Sequence, residues 1–340
     1  MSRKLFILTT LVVMFVGLSL TCRAQPVATP GDYNFNLMVG SLNRHALLHI
    51  PPGYDGTEPL PLVMMLHGGG GTSRAAAFET GWSAKADEEN FLVLYPDALA
   101  RDPAQPSSFS ANPQLWNDGS ERFHESTGQV DDVAFLASLL TEVSKRLAVD
   151  STRVYLAGHS NGASMAFRFA AERADLVTAL APVAGACWLA EIKLARPVPL
   201  CYITGLLDPL NPMEGGVPTL ANGLFEVGRG KAKPPVKENL RRWTRALGCQ
   251  DNPTSIESEQ GYTVTTYGPA ENGAEALLVT IEGQGHNWPG GRGLLPESMA
   301  GSNSTNLNAT DYIWSFFQRP GGPGPTGEPV LPPDATSLAQ

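Results

Sequence analysis

The sequence predicts an α/β fold: a mostly parallel central sheet with helices on both faces. Three observations carry that prediction. Several short runs are apolar at every position, as strands buried on both faces are. Runs with apolar residues at three- and four-residue steps lie between several of them, so strand and helix alternate. One strand-like run passes into a helix-like run through Gly158-His159-Ser160-Asn161-Gly162, the setting in which a serine is held on a tight turn.

The elements follow in order. "YNFNLMV" and "NRHALLHI" alternate in polarity and read as two antiparallel strands opening the domain. "LPLVMMLHG", "FLVLYPDA", "TRVYLAGH", "VTALAPVAG" and "VPLCYITG" are the continuously apolar runs. In "DDVAFLASLLTEVSKRLA" the set Leu136, Leu139, Leu140, Val143 and Leu147 has helical spacing, and Asp131 or Asp132 can cap its start. "ENLRRWTRALG" reads as a helix ending at Gly248, "GYTVTTYG" and "ALLVTIEG" as strands, and Ala309 to Phe317 as a closing helix.

The chain of 340 residues is 42% hydrophobic, with a net charge of -9 and no basic stripe. A nucleic-acid partner is therefore not expected, because nothing would neutralise phosphates. Arg3 and Lys4, the apolar run from Leu5 to about Leu20, and the small residues after it have the anatomy of a secretory signal. The expected organisation is a signal over 1–24, a catalytic domain over 25–320, and a Pro/Gly-rich disordered tail over 321–340. The protein is thus expected to be secreted or periplasmic, without a membrane span; a lipid anchor at Cys22 is the rival reading. With Cys22 removed, Cys187, Cys201 and Cys249 imply one disulfide and one free thiol, and spacing does not choose the pair. With no CxxC or HExxH motif, neither a metal nor another cofactor is expected, and no obligate protein partner is evident.

A serine between glycines occurs by chance, and Ser160 or Asn161 could simply cap the following helix. The rest of the chain weighs against that. A serine hydroxyl needs a base, and in this setting the partners follow in the order Ser, acid, His. Of the six histidines, only His286 lies beyond Ser160, in "EGQGHNWPGG" directly after a strand. Among Asp175, Asp208, Asp251 and Asp311, Asp208 stands just past an apolar strand, in "VPLCYITGLLDPLNP", where it could orient His286. "LHGGGGTS" follows another strand; its glycines let backbone N–H groups approach a developing oxyanion, which names Gly69 together with Asn161. No Gly-Lys-Ser/Thr follows, so a phosphate cradle is not expected. His67 reads as a brace for the loop and His159 as packed beneath the turn. Trp116 and Trp288 are the candidate substrate-binding aromatics, with loop anchoring as the alternative.

At this point the sequence resembles the α/β-hydrolase esterases typified by polyhydroxybutyrate depolymerase and by feruloyl and acetylxylan esterases. "LHGGGG", "VDDVAFL", "RVYLAGHSNGASMA", "ITGLLDPLNP", "RRWTRALGC" and "GHNWPGG" match in order across roughly residues 35 to 318. The resemblance implies an α/β-hydrolase fold, catalysis by Ser160, Asp208 and His286, and an oxyanion site at Gly69 and Asn161. Gly69 is a departure, since many members carry cysteine there; a backbone donor survives that change, a disulfide does not. The function expected is a secreted serine ester hydrolase acting on hydroxyalkanoate esters or oligomers, a polyester being a further substrate of that kind. A feruloyl or acetylxylan esterase acting on polysaccharide-linked acyl groups is the alternative. A serine peptidase and an inactive binding protein on the same fold are the readings from other classes.

Overall fold

The computed structural model describes residues 28–123, 129–220 and 225–319. The expected signal segment, Cys22 and the tail lie outside them. In chain order the elements are β1 (Gly31–Val39), β2 (Leu42–Ile50), β3 (Leu60–Leu66), α1 (Ser73–Thr80), α2 (Trp82–Glu89) and β4 (Leu92–Pro96). Next come α3 (Asp132–Arg146), β5 (Val149–His159), α4 (Asn161–Glu172), β6 (Ala179–Val183), β7 (Leu200–Gly205), and the short β8 (Thr219–Leu220) and β9 (Phe225–Glu226). The chain closes through α5 (Val236–Leu247), β10 (Ser255–Glu259), β11 (Tyr262–Tyr267), β12 (Ala276–Ile281), α6 (Glu297–Ala300) and α7 (Ala309–Phe317).

Ten strands form one sheet in the order β1-β2-β4-β3-β5-β6-β7-β12-β11-β10. The central pairs β4/β3, β3/β5, β5/β6, β6/β7 and β7/β12 are parallel, and antiparallel strands flank them on both sides. Side chains alternate across a strand, and the core divides accordingly. Leu62, Met64 and Leu66 join a cluster with Phe135, Leu139, Met165, Phe167 and Trp243 of α3, α4 and α5. Val63 and Met65 face the opposite way, onto Ala76, Trp82, Ile313, Trp314 and Phe317 of α1, α2 and α7. Each such large apolar side chain contributes about 1.5–3 kcal/mol by leaving water. Both faces of the central strands are therefore covered, the physical reason those runs are apolar throughout.

The local signals act as expected at α3. Asp131 is the N-cap and accepts from the Ala134 N–H at 2.9 Å. Asp132 turns inward and pairs with Arg44 at 2.6 Å. α1, α2 and β10 carry weaker signals. α1 and α2 are single short helices rich in alanine, and β10 is a polar edge strand paired on one side only, so neither shows the apolar spacing that marks a buried element.

The expected disulfide is not formed: Cys187, Cys201 and Cys249 are all free thiols. Cys201 lies in the cluster on one face of the sheet, whereas Cys187 and Cys249 pack into the cluster on the other. The sheet itself separates Cys201 from both.

Candidate active site

The parallel register brings four chain segments to one edge of the sheet. Leu66 at the end of β3 pairs with Gly158, His159 at the end of β5 pairs with Val183, and Gly205 of β7 pairs with Ile281 of β12. The loops beyond these ends carry Gly69, Ser160, Asp208 and His286. Ligands in open α/β sheets gather at this carboxyl edge.

Ser160 has φ 55 and ψ −116, a conformation that a non-glycine residue adopts only when its surroundings hold it there. The neighbouring glycines do not themselves make this turn. Neither Gly158 nor Gly162 turns left-handed; each is a point of close approach. A Cβ on Gly158 would meet Gly162 O at 2.5 Å, and one on Gly162 would meet Leu66 O at 2.3 Å. They let β5, α4 and β3 approach closely enough to force the strained turn onto Ser160. The helix-cap alternative does not describe this residue, since its side chain makes no capping hydrogen bond to α4.

Instead the Ser160 hydroxyl lies 2.7 Å from His286 Nε2. His286 Nδ1 in turn donates to Asp208, at 2.9 Å to Oδ1 and 2.8 Å to Oδ2. Asp208 Oδ1 also accepts the Leu210 and Asn211 N–H groups, each at 2.8 Å. Burial pushes the Asp208 carboxyl up, but the adjacent His286, the Lys233 charge and the Asn211 N–H together hold it below the usual carboxylate range. His286 and Asp208 are buried while Ser160 stays partly open.

The backbone N–H and C=O of His286, from which the imidazole projects, are both held. His286 N–H donates to Ala300 O at 2.6 Å, and His159 Nε2 donates to the His286 carbonyl at 2.6 Å. His159 Nδ1 lies 3.7 Å from the buried Glu79 carboxylate. Burial holds the His159 imidazole below its ordinary range, the Glu79 charge opposing that shift. His67 braces its loop, with Nδ1 donating to Gly68 O at 2.7 Å and Nε2 accepting from the Ala98 N–H at 3.0 Å.

Gly69 and Asn161 are neighbours. A methyl on Gly69 would come within 3.6 Å of Asn161 Cβ, and one on Gly68 within 3.4 Å of Ser160 Cβ. Asn161 opens α4, so its N–H belongs to the first turn, whose donors have no partner within the helix. Its side chain, for which the sequence offered only a helix-capping role, accepts the Trp116 N–H at 2.8 Å. It also donates to Trp116 O at 3.2 Å and to Asp118 Oδ2 at 2.9 Å.

The two tryptophans are not where a substrate platform would be. Both are 0% exposed. Trp116 Nε1 donates to His67 O at 2.9 Å, and Trp288 Nε1 to Thr310 Oγ1 at 3.0 Å. They anchor the segments around the site, and no face of either ring is open to a ligand. Leu115, Phe109, Leu206 and Leu207 offer the open apolar surface nearby, the last three being exposed and Leu115 lying against Gly69.

Residues 44–193 match the profile of the family described as Esterase PHB depolymerase. NocK of Nocardia uniformis subsp. tsuyamanensis, which carries the provisional name of an esterase, is 27% identical over 86% of this chain and 84% of its own length. Poly(3-hydroxyalkanoate) depolymerase C of Paucimonas lemoignei is 26% identical over 84% of this chain and 68% of its own. The protein is a carboxylic ester hydrolase. The hydrolase is also 28% identical to feruloyl esterase B of Piromyces equi over 72% of its chain, yet it spans only 42% of that longer protein. Among solved structures, acetyl xylan esterase from Aspergillus awamori superposes with a TM-score of 0.50 at 15% identity, covering 72% of this chain and 89% of its own. The crystal structure of native pOPH gives a TM-score of 0.52 at 15% identity, covering 90% of this chain and 92% of its own. These likenesses establish the α/β-hydrolase fold of the hydrolase.

Proposed function

We propose that the hydrolase is a serine esterase working through an acyl-enzyme. The continuous contact from Ser160 through His286 to Asp208 carries this reading. As Ser160 Oγ bonds to the ester carbonyl carbon, its proton passes to His286 Nε2, and Asp208 stabilises the imidazolium. The carbonyl electron pair becomes an oxyanion that the Gly69 and Asn161 N–H groups would receive, the latter aided by the positive end of α4. Collapse expels the alcohol, which takes the proton from His286. Water, deprotonated by the same imidazole, then releases the acid and restores Ser160.

The substrate class we favour is the hydroxyalkanoate ester or its soluble oligomer. Support comes from the matching family and from the Paucimonas relative, most of whose length is covered. The Piromyces relative favours a feruloyl ester as the second reading. Export of the protein belongs to the same proposal and is supported by the apolar run of residues 5–20 after Arg3 and Lys4.

Ser160→Ala tests the mechanism. It is expected to abolish hydrolysis of a short p-nitrophenyl ester and labelling by an organophosphonate; retained turnover would exclude the acyl-enzyme. Hydroxybutyrate oligomers assayed beside methyl ferulate separate the two substrate readings by kcat/KM.

A further inference from the structure

A buried lysine stands behind the candidate acid. Lys233 is 4% exposed, and its backbone exchanges both hydrogen bonds with Gly216 of the acid loop, at 2.8 and 3.0 Å. Its ammonium donates to Asn211 Oδ1 at 3.0 Å. Asn211 is itself buried and joins three parts of the site. Its N–H donates to Asp208 Oδ1, its Nδ2 donates to Thr204 Oγ1 on β7 at 3.1 Å, and its Oδ1 receives Lys233. A chain of polar contacts thus runs from Lys233 through Asn211 and Asp208 to His286 and Ser160.

The charges around Lys233 come from two neighbouring segments. Asp208 faces it from the acid loop, while Asp118 and Arg122 face it from the segment after Trp116, paired with each other at 3.1 Å. Burial pulls the Lys233 ammonium down to about 7, with Arg122 acting in the same direction and Asp208 and Asp118 against it. A buried cation held by an amide costs stability that an apolar residue would not. Such a group beside a reactive centre points to a task there.

We propose that Lys233 is a positioning residue for ester hydrolysis, fixing Asp208 through Asn211 and setting by its charge how readily His286 takes up the Ser160 proton. This rests on the serine-esterase reading above. The cation favours the Asp208 anion and disfavours an imidazolium at His286, so the base form of the histidine persists to lower pH. Lys233 touches neither the substrate position nor Ser160, and it acts only through Asn211 and its field.

The test compares Lys233→Met, which keeps length but removes charge and donor, with Lys233→Arg, which keeps both. Each full-length variant is assayed on a short p-nitrophenyl ester across pH, with its thermal unfolding recorded. Lys233→Met is expected to lower kcat with KM little changed and to move the acid limb of the kcat/KM profile up by about one pH unit. Lys233→Arg is expected to restore both. A folded Lys233→Met enzyme whose acid limb stays in place or moves down would overturn the proposal, as would failure of Lys233→Arg to restore the profile. Should Lys233→Met not fold, Asn211→Leu decides: loss of kcat at constant KM supports the link, and unchanged kcat refutes it. Wild-type turnover and phosphonate labelling are measured first, so failure of the esterase reading is seen separately from failure of the lysine's role.

Discussion

Asn161 and Trp116 are bound to each other in both directions: Asn161 Oδ1 accepts the Trp116 N–H at 2.8 Å and Asn161 Nδ2 returns to Trp116 O at 3.2 Å. The amide imitates a strand partner for one residue. It ties the residue after Ser160 to the segment that also supports His67, so the two proposed oxyanion donors share one brace. Asn161→Ala leaves the Trp116 N–H and the Asp118 carboxylate without this partner. The expected cost is about 1–3 kcal/mol of stability per orphaned buried group. A lower kcat is expected alongside it, because the Asn161 N–H is no longer held in place. Urea unfolding and ester kinetics on the same preparation check both.

Lys233 gives stability a pH signature. Its folded-state value of about 7 lies below the ordinary 10.5. Between these values the unfolded chain holds a proton that the folded chain does not, so stability rises with pH across the window. Below about pH 7 the penalty is present in full, and above about pH 10 it has gone. Urea unfolding of wild type and Lys233→Met at several pH values from 7 to 10 is expected to show their difference moving in the wild type's favour. A difference independent of pH would contradict this.

Arg44 and Asp132 form a buried pair at 2.6 Å, with the guanidinium 3.9 Å over the Phe135 ring. Asp132 Oδ2 also accepts the Asn117 N–H at 2.7 Å. Arg44→Met leaves that carboxylate buried without its cation, and the expected loss is about 3–5 kcal/mol. The segment after Trp116 is loosened as well, so phosphonate labelling of Ser160 is expected to slow. Chemical denaturation and labelling rate report the two effects.

Trp288→Phe separates a structural tryptophan from a substrate-binding one. The change removes the hydrogen bond to Thr310 Oγ1 and about 1 kcal/mol or more of stability. KM for a short ester is expected to stay within twofold, because the buried ring offers no surface to a ligand. A large rise in KM without a fall in melting temperature would return the residue to the binding site.

Much of this protein was legible in the chain. Continuous apolarity in "LVMML" and "VYLAGH" reports burial on both faces, a property each strand carries by itself. The contact between Ser160 and His286 was foreseeable because only one histidine follows the serine. The edge strand Ser255–Glu259 was not, since a strand facing water on both sides has no apolar pattern to show. The burial of Trp116 and Trp288 was equally silent, because a tryptophan beside a reactive residue has the same sequence signature on either side of a pocket wall. Lys233 in "KAKPP" looks like a solvated loop charge, and nothing local says that it is enclosed.

The sequence by itself determined the layered α/β class and the strand ends beyond which Ser160, Asp208 and His286 stand, because periodicity and strand-end position are local properties. Only the tertiary structure decided that Ser160, rather than its glycines, bears the left-handed turn. It alone also decided that Asn161 braces Trp116, that Cys187, Cys201 and Cys249 stay unpaired, and that a lysine stands behind Asp208. Each of these depends on distance between segments far apart in the chain, and packing across the sheet sets that distance.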